Sequence, residues 1–396
     1  MKNISNISLV GKKVLIRVDF NVPLDEYFNI TDDSRIQAAL PTIRKVMKDG
    51  GKVIIMSHLG RPKNGFEERF SLKHTVKHLS DLLETPVRFS SDCIGENTIA
   101  DIENMENGDV LVLENLRFYK EEKAGYIGFA KQLANLGDVY VNDAFGTAHR
   151  AHASTAIIAN YFPNNKYFGL LLSNEINSLK TALEKPKRPF TAIIGGAKIT
   201  GKIDVITSLF DKVDNLIIGG GMAYTFAKAM GGNIGNSLVE DEKVELAKTL
   251  IADAKEKGVQ LLLPSDSVNA DDFNNNATIQ NSAITNVPSG FMGLDIGSES
   301  ITCFSNAILE SKTIIWNGPM GVFEMENFSN GTKKIGEAIC KATENGAFSL
   351  VGGGDSVAAV KQFGFADKVS YISTGGGAML EYLEGKELPG VVAIQE

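Results

Sequence analysis

Short runs rich in Val, Ile and Leu alternate along the chain with longer amphipathic stretches, the pattern of βα units whose strands are covered on both faces. In the first half, Val14–Val18, Val53–Met56, Val110–Leu113 and Val139–Val141 read as strands. The second half adds Thr191–Ile194, Leu216–Ile218, Leu261–Leu263, Thr313–Trp316, Phe348–Val351 and Val369–Ile372. The spacing is too irregular for a repeat array, and two open parallel sheets account for it better than one barrel. Leu170–Leu183 carries apolar residues at helical spacing and ends in Lys185-Pro186-Lys187-Arg188-Pro189, where two prolines stop a helix. We therefore expect an α/β protein with a first domain over 1–168, an interdomain helix over 169–185 and a second domain over 186–385.

Composition fits that division. The chain has 396 residues, 43% of them apolar, more than one core usually holds. No apolar run approaches the roughly 18 to 20 residues needed to span a bilayer. Met1-Lys2-Asn3-Ile4-Ser5 lacks a signal peptide's apolar core, so a cytoplasmic protein is expected. Cys93, Cys303 and Cys340 are scattered, with neither zinc nor disulfide spacing, and are expected to be small buried hydrophobes. A formal charge of -8 argues against a nucleic-acid or anionic-membrane partner. An anionic ligand must then meet a local basic pocket.

The residues directly after each apolar run differ between the halves. In the second half the runs lead into glycine: Gly195-Gly196, Gly219-Gly220-Gly221, Gly318-Pro319-Met320-Gly321, Gly352-Gly353-Gly354 and Gly375-Gly376-Gly377. In the first they lead into charge or amide: Asp19 and Asn21, His58 and Arg61, Asn115 and Arg117, Asn142 and Asp143. Ligands of open parallel sheets sit beyond the carboxyl ends of the strands. Glycine there bares backbone N–H groups to phosphate, so the second half reads as a polyphosphate site and the first as a site for a small anion.

Gly196-Ala197-Lys198-Ile199-Thr200-Gly201-Lys202-Ile203 matches the core of a P-loop until Ile203, where magnesium would need a hydroxyl. Lys198 and Lys202 would share one face if Lys198 opened a helix. Tyr224, Val357 and Leu380 stand where a dinucleotide fingerprint needs its third glycine, which disfavours a nicotinamide enzyme. Asp355, in Gly353-Gly354-Asp355-Ser356, is either a helix N-cap or a magnesium ligand. Glu324 is a candidate ribose acceptor, and Trp316 is expected to pack. In the first half Asp19 and Asn21 point to one side of a strand end. Arg35, Arg61, Arg117 and Arg150 come after predicted strands or turns and can converge on phosphate or carboxylate. His58, His149 and His152 lack metal spacing and read as hydrogen-bond donors around an anion.

Together these segments resemble the phosphoglycerate kinase family over nearly the full length. The match runs through Arg17-Val18-Asp19-Phe20-Asn21-Val22-Pro23, Ser57-His58-Leu59-Gly60-Arg61-Pro62, Glu114-Asn115-Leu116-Arg117-Phe118 and Asn142 to His152. It continues through Gly195 to Lys198, Trp316 to Glu324, Gly352 to Ser356 and Ser373 to Ala378. The resemblance implies two Rossmann-like domains with parallel sheets joined by a hinge helix, the first completed by 386–396. It implies a monomeric Mg2+-dependent enzyme that interconverts 1,3-bisphosphoglycerate plus ADP with 3-phosphoglycerate plus ATP. By the same resemblance Asp19, Asn21, His58, Leu59, Gly60, Arg61, Arg117 and Arg150 bind phosphoglycerate, with Arg35 by the transferring phosphoryl group. Lys202 would hold nucleotide phosphates, Gly293 the base and Glu324 the ribose. Gly353, Gly354, Asp355 and Ser356 would form a turn with Asp355 on magnesium. Lys198, Gly375 and Gly376 would stabilise the phosphoryl in flight. Departures from the family pattern fall at Thr200-Gly201, where Gly201 would weaken a helix, at Phe291 near the expected base site, and at Ser265 and Ser267 beside Asp266. The alternatives are a P-loop-like NTPase and a non-catalytic nucleotide-binding protein.

Overall fold

The computed structural model describes residues 2–63 and 65–396; residue 1, where the first expected domain begins, lies outside them. The chain forms two compact units, Met1–Asn177 with Glu387–Glu396, and Ser178–Lys386. The expected helix forms as Leu170–Leu183, and the boundary between the units falls within it.

In the first unit, β1 (Lys13–Arg17), β2 (Lys52–Met56), β3 (Val87–Phe89), β4 (Val110–Val112), β5 (Val139–Asn142) and β6 (Lys166–Phe168) make one parallel sheet ordered β3-β4-β2-β1-β5-β6. Alternate residues Val14, Ile16, Val53, Ile55, Val110, Val112, Val139 and Val141 join Ile36, Leu40 and Ile43 of the helix Ser34–Lys48 in one core. Their neighbours Leu15, Ile54, Leu111 and Tyr140 are buried on the opposite face. Both faces are covered, so the strands are continuously apolar rather than alternating. Each such side chain contributes roughly 1.5–3 kcal/mol on burial. The strand order reverses between β1 and β5, which makes their carboxyl ends the expected ligand crevice.

The second unit repeats the scheme with β7 (Phe190–Ile194), β8 (Asn215–Ile218) and β9 (Gln260–Leu262). Between these and the rest of the sheet come β10 (Asp266–Ala270), β11 (Ile279–Ala283) and β12 (Met292–Ile296), then β13 (Thr313–Asn317), β14 (Phe348–Val351) and β15 (Tyr371–Ile372). The parallel sheet is ordered β15-β14-β13-β7-β8-β9, and β11-β10-β12 forms a separate antiparallel sheet. Ile193, Ile217, Ile314, Trp316 and Val351 pack against Phe304, Ile308, Ile335 and Ile339. Trp316 is fully buried and donates its ring N–H to the Gly318 carbonyl at 2.8 Å, so it packs as expected. Here the order reverses between β7 and β13, at Gly195 and Gly318.

Several expectations need correction. The cysteines are free, but only Cys93 is buried; Cys340 is half-buried and Cys303, on the outer side of the helix Ser298–Glu310, is exposed. Lys198 does not open a helix: the residues before Ile203 form turns, and the helix is Ile203–Leu209. Gly201 therefore sits in a turn, where the helix-interior penalty does not apply. Asp355 is no N-cap either, because Gly353 caps the helix Gly354–Gln362. Among the described residues no helix is long and apolar enough to cross a membrane.

Candidate active site

At the carboxyl ends of β1, β2 and β5, Asp19, Asn21, Arg35, His58, Arg61, Arg117 and Arg150 line one cavity of about 390 Å³, a size that suits a small ligand. Pro62, Lys123, Gly146, Thr147 and His149 complete its walls. Five cations and a single carboxylate, that of Asp19, thus share the lining. Arg35, at the start of Ser34–Lys48, donates to Asp19 Oδ1 at 3.2 Å and to the Asn21 carbonyl at 3.0 Å. Asn21 Oδ1 accepts the Gly60 N–H at 2.7 Å, and Arg117 donates to the Gly60 carbonyl at 2.7 Å. Asn115 holds the same loop through Nδ2 to the carbonyls of Leu59, at 2.7 Å, and Phe70, at 2.8 Å. Leu59 and Gly60 themselves face an adjoining cavity with Val22, Leu24, Phe28 and Phe70. Their part in the basic site is backbone bracing.

The electrostatics favour an anionic guest. Burial works against the Asp19 carboxylate, but His58, Arg35, Arg17 and the Asn21 N–H more than offset it and hold its pKa below the usual value. Burial, then Arg17 and Arg150, lower the Arg117 pKa to about 10, which leaves it cationic at neutral pH. Burial brings His152 down to about 4, with Arg17 and Arg117 adding to the effect. His152 is buried and lies outside the cavity lining, so of the three expected donors His58 and His149 reach the site.

In the second unit the glycine tips gather at the carboxyl end of the sheet. A Cβ on Gly195 would strike the backbone of Gly318 and Pro319, so the two central strand ends approach as closely as they do only because both carry glycine. Lys202, Asn317, Gly353, Gly354, Asp355, Ser356, Gly376 and Gly377 line a pocket there. The Lys202 ammonium donates to Asn317 Oδ1, and burial lowers its pKa against the opposing pull of Asp355. Asn317 is 1% exposed and among the described residues its Nδ2 has no hydrogen-bond partner, which leaves a buried donor beside the lysine. Sequence reading gave Asn317 no role, although it lies inside a motif. Ser356 Oγ accepts the Gly318 N–H at 2.5 Å and ties the two glycine turns together.

Asp355 also lines a second, more apolar pocket with Gly221, Tyr224, Gly293, Leu294, Val322 and Glu324. Its floor is the buried Tyr224, whose hydroxyl meets Ser267 Oγ at 2.6 Å, while Ser267 donates to Asn269 Oδ1 at 2.7 Å. Ser267 thus satisfies a tyrosine under the pocket. The Ser265 side chain is exposed, and Phe291 lies outside the lining. Lys198 and Gly375 line neither pocket. Lys198 is exposed on a turn held by Glu240, which accepts the N–H groups of Ile199 at 2.5 Å and Thr200 at 3.2 Å. Glu240 was invisible to motif reading because it comes from a distant segment. Gly375 is the residue before the helix Gly376–Leu383.

Among the described residues no group of three His, Cys, Asp or Glu side chains could hold a metal by itself. Magnesium takes few protein carboxylates and completes its shell with phosphate and water. Asp355, in the first turn of its helix and exposed at the junction of both pockets, suits that role.

The chain matches the family model for phosphoglycerate kinase over residues 4–386. It is 55% identical to phosphoglycerate kinase of Porphyromonas gingivalis, covering 99% of each chain. It is 53% identical to that of Chlorobaculum tepidum, covering 100% of this chain and 99% of the other. Among solved structures, phosphoglycerate kinase from Coxiella burnetii superposes with a TM-score of 0.90 at 42% identity, over 99% of this chain and 98% of that one. That from Pyrococcus horikoshii gives 0.86 at 30% identity, over 100% and 98%. Two parallel sheets of six strands, an arginine-ringed cavity on one and glycine turns on the other accord with these matches, and the chain belongs to the phosphoglycerate kinase family.

Proposed function

We propose that the arginine-ringed cavity takes the phosphoglycerate and the glycine-tipped pockets take the nucleotide, in reversible phosphoryl transfer between 1,3-bisphosphoglycerate and ADP giving 3-phosphoglycerate and ATP. The observation that carries this reading is the convergence of Arg35, Arg61, Arg117, Lys123 and Arg150 on one cavity in a protein of net charge -8. Such a concentration suits a compact, multiply charged anion.

In the ATP-consuming direction the nucleophile is the carboxylate of 3-phosphoglycerate, whose intrinsic pKa of about 4 keeps it ionised at neutral pH. No general base is required. A bond forms from that carboxylate oxygen to the γ-phosphorus and the bond to the ADP oxygen breaks. The work left to the protein is alignment and the neutralisation of charge spread over the phosphoryl oxygens. Arg61, Arg117 and Arg150 would fix the substrate's own phosphate, and Asn21 and His58 its hydroxyl and carboxylate end. Lys202 and Asn317 would hold nucleotide phosphates, with Gly293 under the base and Glu324 toward the ribose. Asp355 would hold magnesium, whose positive charge would help neutralise the nucleotide phosphates. Arg35, Lys198 and the N–H groups after Gly375 would steady the phosphoryl group as it passes. The two ligands must meet, so we propose closure about the helix Leu170–Leu183. A monomer acting in the cytoplasm, without a nucleic-acid partner, goes with this reading.

The P-loop alternative is disfavoured by Ile203, which offers no oxygen to a metal. A coupled assay for 1,3-bisphosphoglycerate formation from ATP and 3-phosphoglycerate, with and without magnesium, tests the proposal. Turnover that requires both supports it, whereas ATP hydrolysis indifferent to 3-phosphoglycerate refutes it.

A further inference from the structure

Arg17 closes β1 at 1% exposure and does not line the basic cavity, yet it touches His58, which does. Its Nε donates to Ser154 Oγ at 2.8 Å, one Nη donates to the Val18 carbonyl, and the other lies 3.2 Å from His58 Nδ1. A guanidinium can only donate. This fixes two proton positions. Ser154 Oγ accepts from Arg17, so its own hydrogen goes to Glu122 Oε1 at 2.6 Å. His58 Nδ1 likewise accepts, which puts the ring hydrogen on Nε2. Asp19 Oδ1, at 4.0 Å from Nδ1, is too far to compete. Among the described residues Nε2 has no hydrogen-bond partner, and His58 lines the cavity.

We propose that Arg17 is a positioning residue: by donating to Nδ1 it locks His58 in the Nε2–H tautomer, a neutral and fixed donor to the anion in the cavity. The surroundings act in the same sense. Burial pulls the His58 pKa well below 6.5, Asp19 opposes, and Arg17, Arg117 and Arg35 add to the pull. The Glu122 carboxylate anchors the line from behind, since it also accepts the Ser154 N–H at 3.0 Å. A lysine at position 17 would keep the charge, but one ammonium cannot serve Ser154, Val18 and His58 in this geometry.

The kinetic half of this inference rests on the phosphoglycerate reading of the cavity, while the tautomer belongs to the free protein. Long-range 1H–15N spectra of histidine-labelled protein between pH 5.5 and 8 should show His58 as one Nε2–H form that does not titrate. An Nδ1–H form, or a midpoint near the ordinary value of about 6.5, overturns the proposal whatever the cavity binds. In a second arm, KM for 3-phosphoglycerate is compared in Arg17→Lys, His58→Ala and the double variant. Arg17→Lys should raise KM about tenfold, the loss expected of one hydrogen bond to a charged ligand, and the double variant should be no worse than His58→Ala alone. Effects that multiply would show Arg17 acting apart from His58 and would reject the proposal. A wild type without phosphoglycerate turnover counts against the functional reading, and the ring spectra still decide the tautomer.

Discussion

At the scale of single residues, the buried titratable groups oppose one another in pH. Burial pushes the Asp143 carboxyl up to about 7, against Thr42 and the Leu171 and Leu172 N–H groups, and Glu175 adds to the rise. Burial raises Asp295 likewise to about 7, against the Gly331 and Ile296 N–H groups. A carboxyl with a raised folded pKa binds more protons folded than unfolded, so its contribution falls as pH climbs from about 4 to about 7. His152, lowered by burial to about 4, binds fewer protons folded, so its contribution rises with pH between about 4 and 6.5, and His58, also lowered by burial, acts in the same direction below its ordinary value. The slopes offset. Asp143→Asn keeps an acceptor for the Leu172 N–H, which is 3.1 Å away, and should steepen the rise of Tm between pH 5 and 6.5 while stabilising at pH 8; an unchanged profile by calorimetry would reject this balance. Arg35→Ala should lower kcat by about 10²- to 10³-fold, roughly 3–4 kcal/mol of barrier. Tm should barely move, since its partly exposed ion pair with Asp19 contributes little. The arginines of this site were legible in the sequence because each comes after a strand or turn. Lys123, Asn317 and Glu240 were not: a lysine in a short helix and a glutamate from a remote loop carry no local sign of where they point.

At the scale of elements, the ten strands read from the sequence all appear, with ends shifted by up to two residues. Burial on both faces wrote them as apolar runs. The antiparallel strands β10 and β11 escaped because Asp266–Ala270 and Ile279–Ala283 are polar, β11 is largely exposed, and neither forms an apolar run. The edge strands β3 and β6 are three residues each, too short to stand out. The turn Asp25–Asn29 had no reading in the sequence. Asp25 Oδ1 accepts the N–H groups of Tyr27 and Asn29, and Phe28 takes a left-handed φ of 64° with its ring stacked on His74 at 4.4 Å. The last helix, Pro389–Gln395, carries more than its length suggests. Gly390 donates to the Ala148 carbonyl at 2.8 Å and accepts from Asn142 Nδ2 at 3.1 Å, beside the loop that bears His149 and Arg150. Ending the chain after Leu388 should raise KM for 3-phosphoglycerate severalfold more than KM for ATP. Equal changes in both would mean the helix does not brace this loop.

At the scale of the whole molecule, a protein of net charge -8 gathers five cationic side chains around one cavity. Exposed charges are screened over about 8 Å at physiological ionic strength. KM for 3-phosphoglycerate should therefore rise with added salt more steeply than kcat falls, and a flat KM would argue against electrostatic capture. If transfer depends on closure about the connecting helix, small-angle scattering should show compaction only with both substrates present; identical curves for the free and doubly bound protein would exclude it. The first unit is also discontinuous, since it takes Glu387–Glu396 from the far end of the chain. Some 210 residues separate Asn177 from that return, and a ribosome adding about 5–20 residues per second needs on the order of 10–40 s to make them. Until those residues emerge, the arginine-bearing unit lacks the Gly390 contacts to Ala148 and Asn142, so the loop that carries Arg150 gains its brace only after the whole second unit has been made.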